Sequence, residues 1–325
     1  MDTNAILSQD RHAWRNALIA RAVHAVEGAA GPVATAICHP CDANAITAAV
    51  EAAEKGLITP ILVGPEARLR KAAAEAGVDI SPFEIISTPH SHASASKAVA
   101  LARAGRVGLL MKGSLHTDEL MHAVMEVACG LRTERRVSHI YLHSAPAYPR
   151  PLLVTDAAIN IAPDLIDKRD IVQNAIDLAH VLGIAEPRVA ILSAIETVNP
   201  KLQSTLDAAA LCKMADRRQI TGGLLDGPLA FDNAINPEAA ADKGIVSPVA
   251  GIADILVAPD LVSGNILAKL LIYMAGSDAA GVVIGARVPI ILTSRADSPD
   301  TRITSCAVAV LMSLAIMGGA QPVMD

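Results

Sequence analysis

Apolar positions along this chain keep two rhythms, and the two alternate. Between residues 11 and 28, Trp14, Leu18, Ile19, Val23 and Val26 recur at helical spacing, and Gly28 with Gly31-Pro32 closes the element. Val33-Ala-Thr-Ala-Ile-Cys38 follows as a short continuous apolar run, which predicts a buried strand. His39-Pro40-Cys41-Asp42 is then its C-terminal loop and Ala43 to Glu54 a helix. The same order of apolar run and helix-compatible segment returns at 59–63, 83–86 and 107–111, and strands alternating with helices predict βαβ units and a parallel sheet. After Gly130 the texture changes. Arg132, Arg135 and Arg136 precede a polar-interleaved strand, Ser138-His-Ile-Tyr-Leu-His143, and the proline-rich Ala145-Pro-Ala-Tyr-Pro-Arg-Pro151, so a domain boundary is expected near Val137. The pattern restarts with strands at 152–155, 188–192, 222–225, 255–257 and 282–284. A last apolar run, Pro289 to Leu292, stops at a cluster of polar groups, Thr293, Ser294, Arg295, Asp297, Ser298 and Asp300, behind which an apolar helix begins.

Composition sharpens this α/β picture. With 325 residues the chain is long enough for two domains. Hydrophobic residues make up 52% and aromatics only 2%, so the core must be Ala, Val, Ile and Leu, the material of buried parallel strands under Ala-rich helices. The formal net charge is −6 and no lysine or arginine block exceeds two residues, which excludes the concentrated basic face that nucleic acid requires. Five scattered cysteines, an odd number, and an N-terminus without a signal-like pattern lead to the expectation of a reducing cytoplasm. The apolar stretch from Cys306 to Met317 is short of the roughly 20 residues of a membrane span, so no membrane partner is expected.

Ligands of open α/β sheets sit outside the carboxyl ends of the strands, and helix N-termini there favour anions. The polar cluster after Leu292 therefore points to a site that holds an anion. Lys112-Gly113-Ser114-Leu-His-Thr117, after the strand ending at Met111, is a second anion cradle, unless Ser114 or Thr117 is simply a helix cap. Cys38-His39-Pro40-Cys41 has dithiol spacing but no second pair to complete a zinc set, so its loop more plausibly brings His39 and Asp42 to the strand-end crevice. Asp156, Asp226 and Asp232 follow strands, where they serve a divalent metal or a turn equally well; Glu196 and Ser263-Gly264-Asn265 repeat the theme, with Ser263 or Asn265 open as helix caps.

Taken in order, Met111-Lys-Gly-Ser-Leu-His-Thr117, Thr155-Asp-Ala-Ala-Ile-Asn160, Pro187-Arg-Val-Ala-Ile-Leu-Ser-Ala-Ile-Glu196, Asp226-Gly-Pro-Leu-Ala-Phe-Asp232, Ser263-Gly-Asn265 and Thr293-Ser-Arg-Ala-Asp-Ser298 resemble the phosphate acetyltransferase/phosphate butyryltransferase family over roughly residues 33–320. The resemblance implies two α/β/α domains with mainly parallel sheets, similar to isocitrate and isopropylmalate dehydrogenases, with the active site in the cleft between them. The first domain would take residues 1–137 plus 287–325 and the second 138–286, with a homodimer paired through the second. It implies reversible transfer of a short acyl group, acetyl in first place and butyryl as the alternative, between coenzyme A and inorganic phosphate, both as substrates, with no cofactor and no metal. Arg295 would bind a phosphate or carbonyl oxygen and Ser294 donate beside it, without a covalent intermediate. The base that takes the thiol proton is Asp297 or Asp300, because a gapless count from the Ser-Arg pair places the acetyl-type acid on Thr301. Phosphate and coenzyme A contacts are expected from Lys112, Gly113, Ser114, Thr117, His39, Asp42, Asn265 and Arg132. Arg132 or Arg136 would stand in for an arginine that relatives carry where this chain has His122. Two rival readings remain: a metal- and NAD-dependent dehydrogenase of the same fold, which needs Asp156, Asp226 and Asp232 in one site, and a non-catalytic acyl-coenzyme A binding protein.

Overall fold

The computed structural model of the chain describes residues 12–293 and 297–319. In chain order the elements begin with α1 (Ala13–Glu27), β1 (Val33–Cys38), α2 (Ala43–Glu54), β2 (Ile58–Gly64), α3 (Glu66–Ala76), β3 (Glu84–Ser87), α4 (Ser91–Arg103), β4 (Leu109–Lys112) and α5 (Thr117–Met125). They continue with β5 (Ser138–Ser144), β6 (Leu152–Thr155), α6 (Leu165–Val181), β7 (Arg188–Leu192), α7 (Gln203–Asp216), β8 (Leu224–Leu229), α8 (Phe231–Ile235), α9 (Pro237–Asp242), β9 (Ile255–Val257) and α10 (Leu261–Tyr273). The last are β10 (Asp278–Ile284), β11 (Ile290–Ile291) and α11 (Pro299–Met317). These form two compact units, one of His12–Arg135 with 280–319 and one of Arg136–Ala279.

In the first unit the strands lie in the order β3-β2-β1-β4-β11-β10. Every pairing from β3 to β11 is parallel, and only β10 runs antiparallel to β11. Four of the six β1 residues are fully shielded by helices, as an almost continuous apolar strand requires. The helix that covers β1 and β4 comes from the far end of the chain. Helix α11 starts at an N-cap, Ser298, whose hydroxyl accepts from the Thr301 N–H, with Pro299 at its first turn, and its residues from Arg302 to Ser313 are all buried. Small residues allow that depth. A Cβ on Gly108 would sit 2.9 Å from the Ser313 hydroxyl, which instead donates to the Gly108 carbonyl at 2.9 Å. Among the described residues α11 is the one helix long and apolar enough to cross a membrane, yet 67% of it is buried inside the fold, the mark of a core helix.

The second unit has strand order β5-β6-β9-β7-β8, parallel except for the β5–β6 pair. Here β8 differs from the expected 222–225: it starts at Leu224 and runs on to Leu229. Asp226 consequently lies within the strand, paired with Ala190, and not in a loop beyond it. Gly227 permits this, because a Cβ there would meet Ile191 Cβ and the Ile191 carbonyl at 2.8 Å, so only glycine lets β8 stay against β7 until Leu229 pairs with Leu192. Helices α6 and α7 are joined by a buried ion pair, Lys168 Nζ to Asp207 Oδ2 at 2.6 Å.

The polar-interleaved strand β5 is buried throughout from Ser138 to His143. His139, Tyr141 and His143 alternate along it, so one face carries a row of rings with centroids 4.5 and 5.7 Å apart. Burial, and then the neighbouring His139, push the His143 imidazole down to a pKa of about 3. A base whose folded pKa is lowered takes up protons in the unfolded chain first. The stability tied to His143 is therefore whole above pH 6.5 and is lost as pH falls from there toward about 3. Between pH 6.5 and pH 5 that amounts to about 2 kcal/mol. Urea unfolding of wild type against His143→Leu at the two pH values checks it: the variant should show a shallower pH dependence, and equal slopes would refute the assignment.

Candidate functional site

The carboxyl ends of β1, β4 and β11 enclose a pocket of about 250 Å³ in the first unit. Its geometry follows from one glycine. Gly113, directly after β4, donates its N–H to the Cys38 carbonyl, and Ser114 donates to the His39 carbonyl, both at 2.9 Å. A Cβ on Gly113 would lie 2.5 Å from the first of these oxygens and 2.7 Å from the second. The loops that follow β1 and β4 are thus laced backbone to backbone, and the opening of α2 is drawn to the same place. Lys112, Gly113 and Met111 form one wall; Asp42, Asn44, Ala45 and Ala48 of the α2 end form another; Thr293 and Arg302 complete it. Lys112 and Arg302 are each only 8% exposed. Asp42 caps α2, its Oδ1 accepting from the Ala45 N–H at 2.8 Å.

Of the residues expected to make a site, the pocket gathers Lys112, Gly113 and Asp42. Thr293 lines it too. Ser294 and Arg295, next in the chain, lie outside the described residues. His39 stands behind the wall. It holds a left-handed backbone (φ 57°), its Nδ1 is 3.0 Å from Ser94 Oγ and its Nε2 3.4 Å from the Arg68 guanidinium. Burial and the positive charge of Arg68 lower its pKa, so the ring is neutral and ties the β1 loop to α4. Thr117 opens α5 and neither it nor Ser114 caps the helix: His116 occupies the N-cap position with no side-chain cap bond. Asp300 is an exposed residue of the first turn of α11, ion-paired through Oδ2 to the Arg15 guanidinium at 2.6 Å, while Asp297 is half-buried just before the N-cap.

The arginine candidates separate. Arg132 is exposed and its backbone bridges to Ala286, and His122 is an exposed residue of α5. Arg136 belongs to the second unit, where its Nε donates to Asn160 Oδ1 at 2.7 Å. Arg302 was not anticipated. Its signal in the sequence is the one guanidinium of this helix, at the head of a buried stretch of mostly apolar and small residues, a position that burial alone does not favour.

Several motif residues turn out to hold the fold. In the second unit the Asp156 carboxylate accepts from the N–H groups of Ala158, Ile159 and Asn160 and from the Asn160 amide, so it closes its own loop. Asn265 donates to the Ala157 carbonyl at 2.9 Å, and a Cβ on Gly264 would lie 2.2 Å from the Asp156 carbonyl, so Ser263-Gly264-Asn265 seats α10 against that loop. The cap of α10 is Asp260, with the Ser263 hydroxyl donating to it. Among the described residues no group of three or more His, Cys, Asp or Glu could hold a metal ion. All five cysteines are free; Cys38 is fully buried and burial raises its thiol pKa, as it does that of Cys41, which removes the thiolate a reactive dithiol needs.

Residues 88–310 match a family model described as phosphate acetyl/butaryl transferase. A phosphate acetyltransferase of Rhizobium meliloti is 64% identical over 283 residues, 87% of this chain and 90% of that protein. A phosphate butyryltransferase of Clostridium acetobutylicum is 41% identical over 272 residues, 84% of this chain and 90% of that protein. Among solved structures, a branched-chain phosphotransacylase from Enterococcus faecalis V583 superposes with a TM-score of 0.76 at 29% identity, covering 86% of this chain and 99% of its own.

Proposed function

This chain belongs to the phosphate acetyl/butyryl transferase family, and from that premise we propose that it transfers an acetyl group reversibly between coenzyme A and inorganic phosphate. The observation that carries the reading is the cation-lined pocket at the strand ends, whose wall residue Thr293 leads directly into Ser294 and Arg295. Acetyl is placed ahead of butyryl because the acetyltransferase relative stands at 64% identity and the butyryltransferase relative at 41%.

The chemistry asks little of the protein beyond charge and position. A carboxylate takes the proton of the coenzyme A thiol, whose free pKa is about 8.5, and the thiolate attacks the carbonyl of the acyl phosphate. The carbon–sulfur bond forms, negative charge gathers on the carbonyl oxygen, and the carbon–oxygen bond to phosphate then breaks. Arg295 and Ser294 donate to the oxygens that gain charge. Asp297 or Asp300 supplies that carboxylate; an Asp300 oxygen is engaged by Arg15 and would have to leave that pair to accept a proton. Purified protein with coenzyme A and acetyl or butyryl phosphate, without metal or nicotinamide, tests the whole reading. Thioester formation is expected with both, at a higher kcat/KM for acetyl phosphate; no turnover with either would refute it, and a reversed ratio would make the enzyme a butyryltransferase.

We further propose that the protein is a homodimer paired through α10 and that it works in a reducing cytoplasm, which suits five free thiols. Val262, Ile266, Leu270 and Tyr273 follow one another at intervals of four and three along one side of α10, with Met274 at its C-terminal end, and the five are 49–82% exposed, an apolar stripe that a second copy would cover. Ile266→Glu is expected to convert a dimer to a monomer in sedimentation velocity. A wild-type monomer, or a variant that still dimerises, would remove this helix from the interface.

A further inference from the structure

Resting on the acyl-transfer reading, we infer that His39 is a positioning residue of the site: its ring, fixed as one tautomer between Ser94 and Arg68, holds the backbone turn on which the pocket wall is built. The turn is unusual for a residue with a side chain. At φ 57° His39 stands in the left-handed region, which L-residues enter at a cost, histidine and asparagine more readily than most. The conformation has a use. The His39 N–H donates to the Val63 carbonyl of β2 at 2.7 Å, and the His39 carbonyl accepts from Cys41 at 2.8 Å and from Ser114 at 2.9 Å. One residue therefore ties the end of β2 to the β4 loop, whose Gly113 lines the pocket.

What keeps the turn in place is the ring, and its hydrogen bonds admit one direction only. A guanidinium donates and cannot accept, so Nε2, 3.4 Å from Arg68, is the bare nitrogen of the ring. The proton is then on Nδ1, which donates to Ser94 Oγ at 3.0 Å. Ser94 donates its own proton to the His90 carbonyl at 3.0 Å, and so accepts also from the Thr88 hydroxyl at 2.8 Å. The one proton and both lone pairs of the Ser94 hydroxyl are thereby used. Thr88, Ser94 and His39 are all buried, so this chain of bonds runs from the end of β3 through α4 to the β1 loop away from water.

Protonation of Nε2 undoes the arrangement. A ring with two N–H groups offers Arg68 only repulsion, and either the ring or the guanidinium must leave its place. The charged and titratable groups facing the ring are Arg68 of α3, Glu119 of α5 and His90 at the N-cap of α4, while β2 and the β4 loop meet its backbone. Burial, and then Arg68, lower the ring's pKa from 6.5; Glu119 raises it and His90 lowers it. The turn is therefore held at pH 6.5 and above, and is released as pH falls through the ring's lower value.

The test follows thioester formation from acetyl phosphate and coenzyme A between pH 5 and pH 8 for wild type, His39→Asn, Ser94→Ala, the double variant and Arg68→Glu. Asparagine keeps access to the left-handed turn but carries no titrating ring. At pH 8 the two single variants should each lose about tenfold in kcat/KM, less than a full 1 Å misplacement costs. The double variant should lose no more than the worse single, because both changes break one chain of bonds. The ratio of wild type to His39→Asn should be constant above pH 6.5 and decline toward one below it; titrations of the substrates and of the base are common to both and cancel. In Arg68→Glu a carboxylate accepts from the protonated Nε2, so the decline should disappear. Arg68 is exposed, so this variant is read even where Ser94→Ala fails to fold. A flat ratio, losses that multiply in the double variant, or a decline that persists in Arg68→Glu would overturn the proposal and leave the acyl-transfer reading intact. A long-range proton–nitrogen spectrum of the ring, identified by its loss in His39→Asn, needs no turnover. It should show the proton on Nδ1 at pH 8, and a proton on Nε2 would overturn the proposal whatever the kinetics. If wild type turns over no acyl phosphate, the acyl-transfer reading falls and takes the positioning role with it.

Discussion

Gly113→Ala is expected to lower kcat/KM for acetyl phosphate on the order of a hundredfold while the far-ultraviolet circular dichroism stays that of wild type. The reason is steric and local. The added carbon would lie 2.5 Å from one backbone oxygen of the β1 loop and 2.7 Å from the next, and neither atom belongs to a side chain that can swing away. The β4 loop must retreat, and with it go the hydrogen bonds from Gly113 to Cys38 and from Ser114 to His39 that set the two walls of the pocket in register. A misplacement near 1 Å at a binding group is enough to reduce a rate about 10²-fold. Gly28→Ala is the matched control, because its new carbon meets no atom nearer than 3.7 Å. Steady-state kinetics on both variants checks the claim, and near-wild-type activity in Gly113→Ala would mean that the lacing does not shape the pocket.

The largest loss of stability is expected from Lys168→Met. The lysine side chain is 7% exposed, its partner Asp207 10%, and the ammonium sits 2.6 Å from the carboxylate. The other carboxylate oxygen accepts from the Gln203 amide at 2.8 Å, so the pair is embedded in a small network between α6 and α7. Methionine fills nearly the same space but leaves a buried carboxylate with one neutral donor. Removing one partner of such a pair destabilises by roughly 3–5 kcal/mol. Replacing both, as Lys168→Met with Asp207→Leu, should recover most of that loss, because two apolar chains carry no unmet charge. Urea denaturation of the single and double variants separates the cases. A single-variant loss below about 1 kcal/mol would show that solvent reaches the pair after all.

How far the chain could be read in advance depended on whether the partner of a residue was near or far in sequence. The apolar runs at 33–38, 152–155, 188–192 and 255–257 became strands at those positions, because a strand covered on both faces must be apolar at nearly every residue. At the end of β4 the sequence pointed to the strand-end crevice through a lysine followed by a glycine, and Lys112-Gly113 lines the pocket. Asp156 and Asn265 stayed open between a ligand and a structural role, because a carboxylate or amide looks the same in sequence whether it meets a ligand or its own backbone. The carbonyl that Asn265 serves is 108 residues away. Arg302 was missed for the opposite reason, since it sits in the first turn of a helix whose later residues announce only burial. The reach of β8 through Asp226 to Leu229 was hidden because it depends on Gly227 fitting against Ile191, a contact between strands.

The covering of β1 and β4 by α11 also sets an order of events during synthesis. When residues up to Arg135 have been made, β4 still has one edge unpaired and the sheet one face bare, since β11 and α11 lie beyond Ala279. The whole of 136–279 emerges in between, with its own strands and core, and can close by itself. The nascent chain therefore carries an open strand edge for about half its translation, the kind of edge on which chains join one another. A ribosome stalled before Ile290 would hold a folded later half and an adhesive earlier one, which makes this stretch of translation the window in which chaperones matter most for this protein.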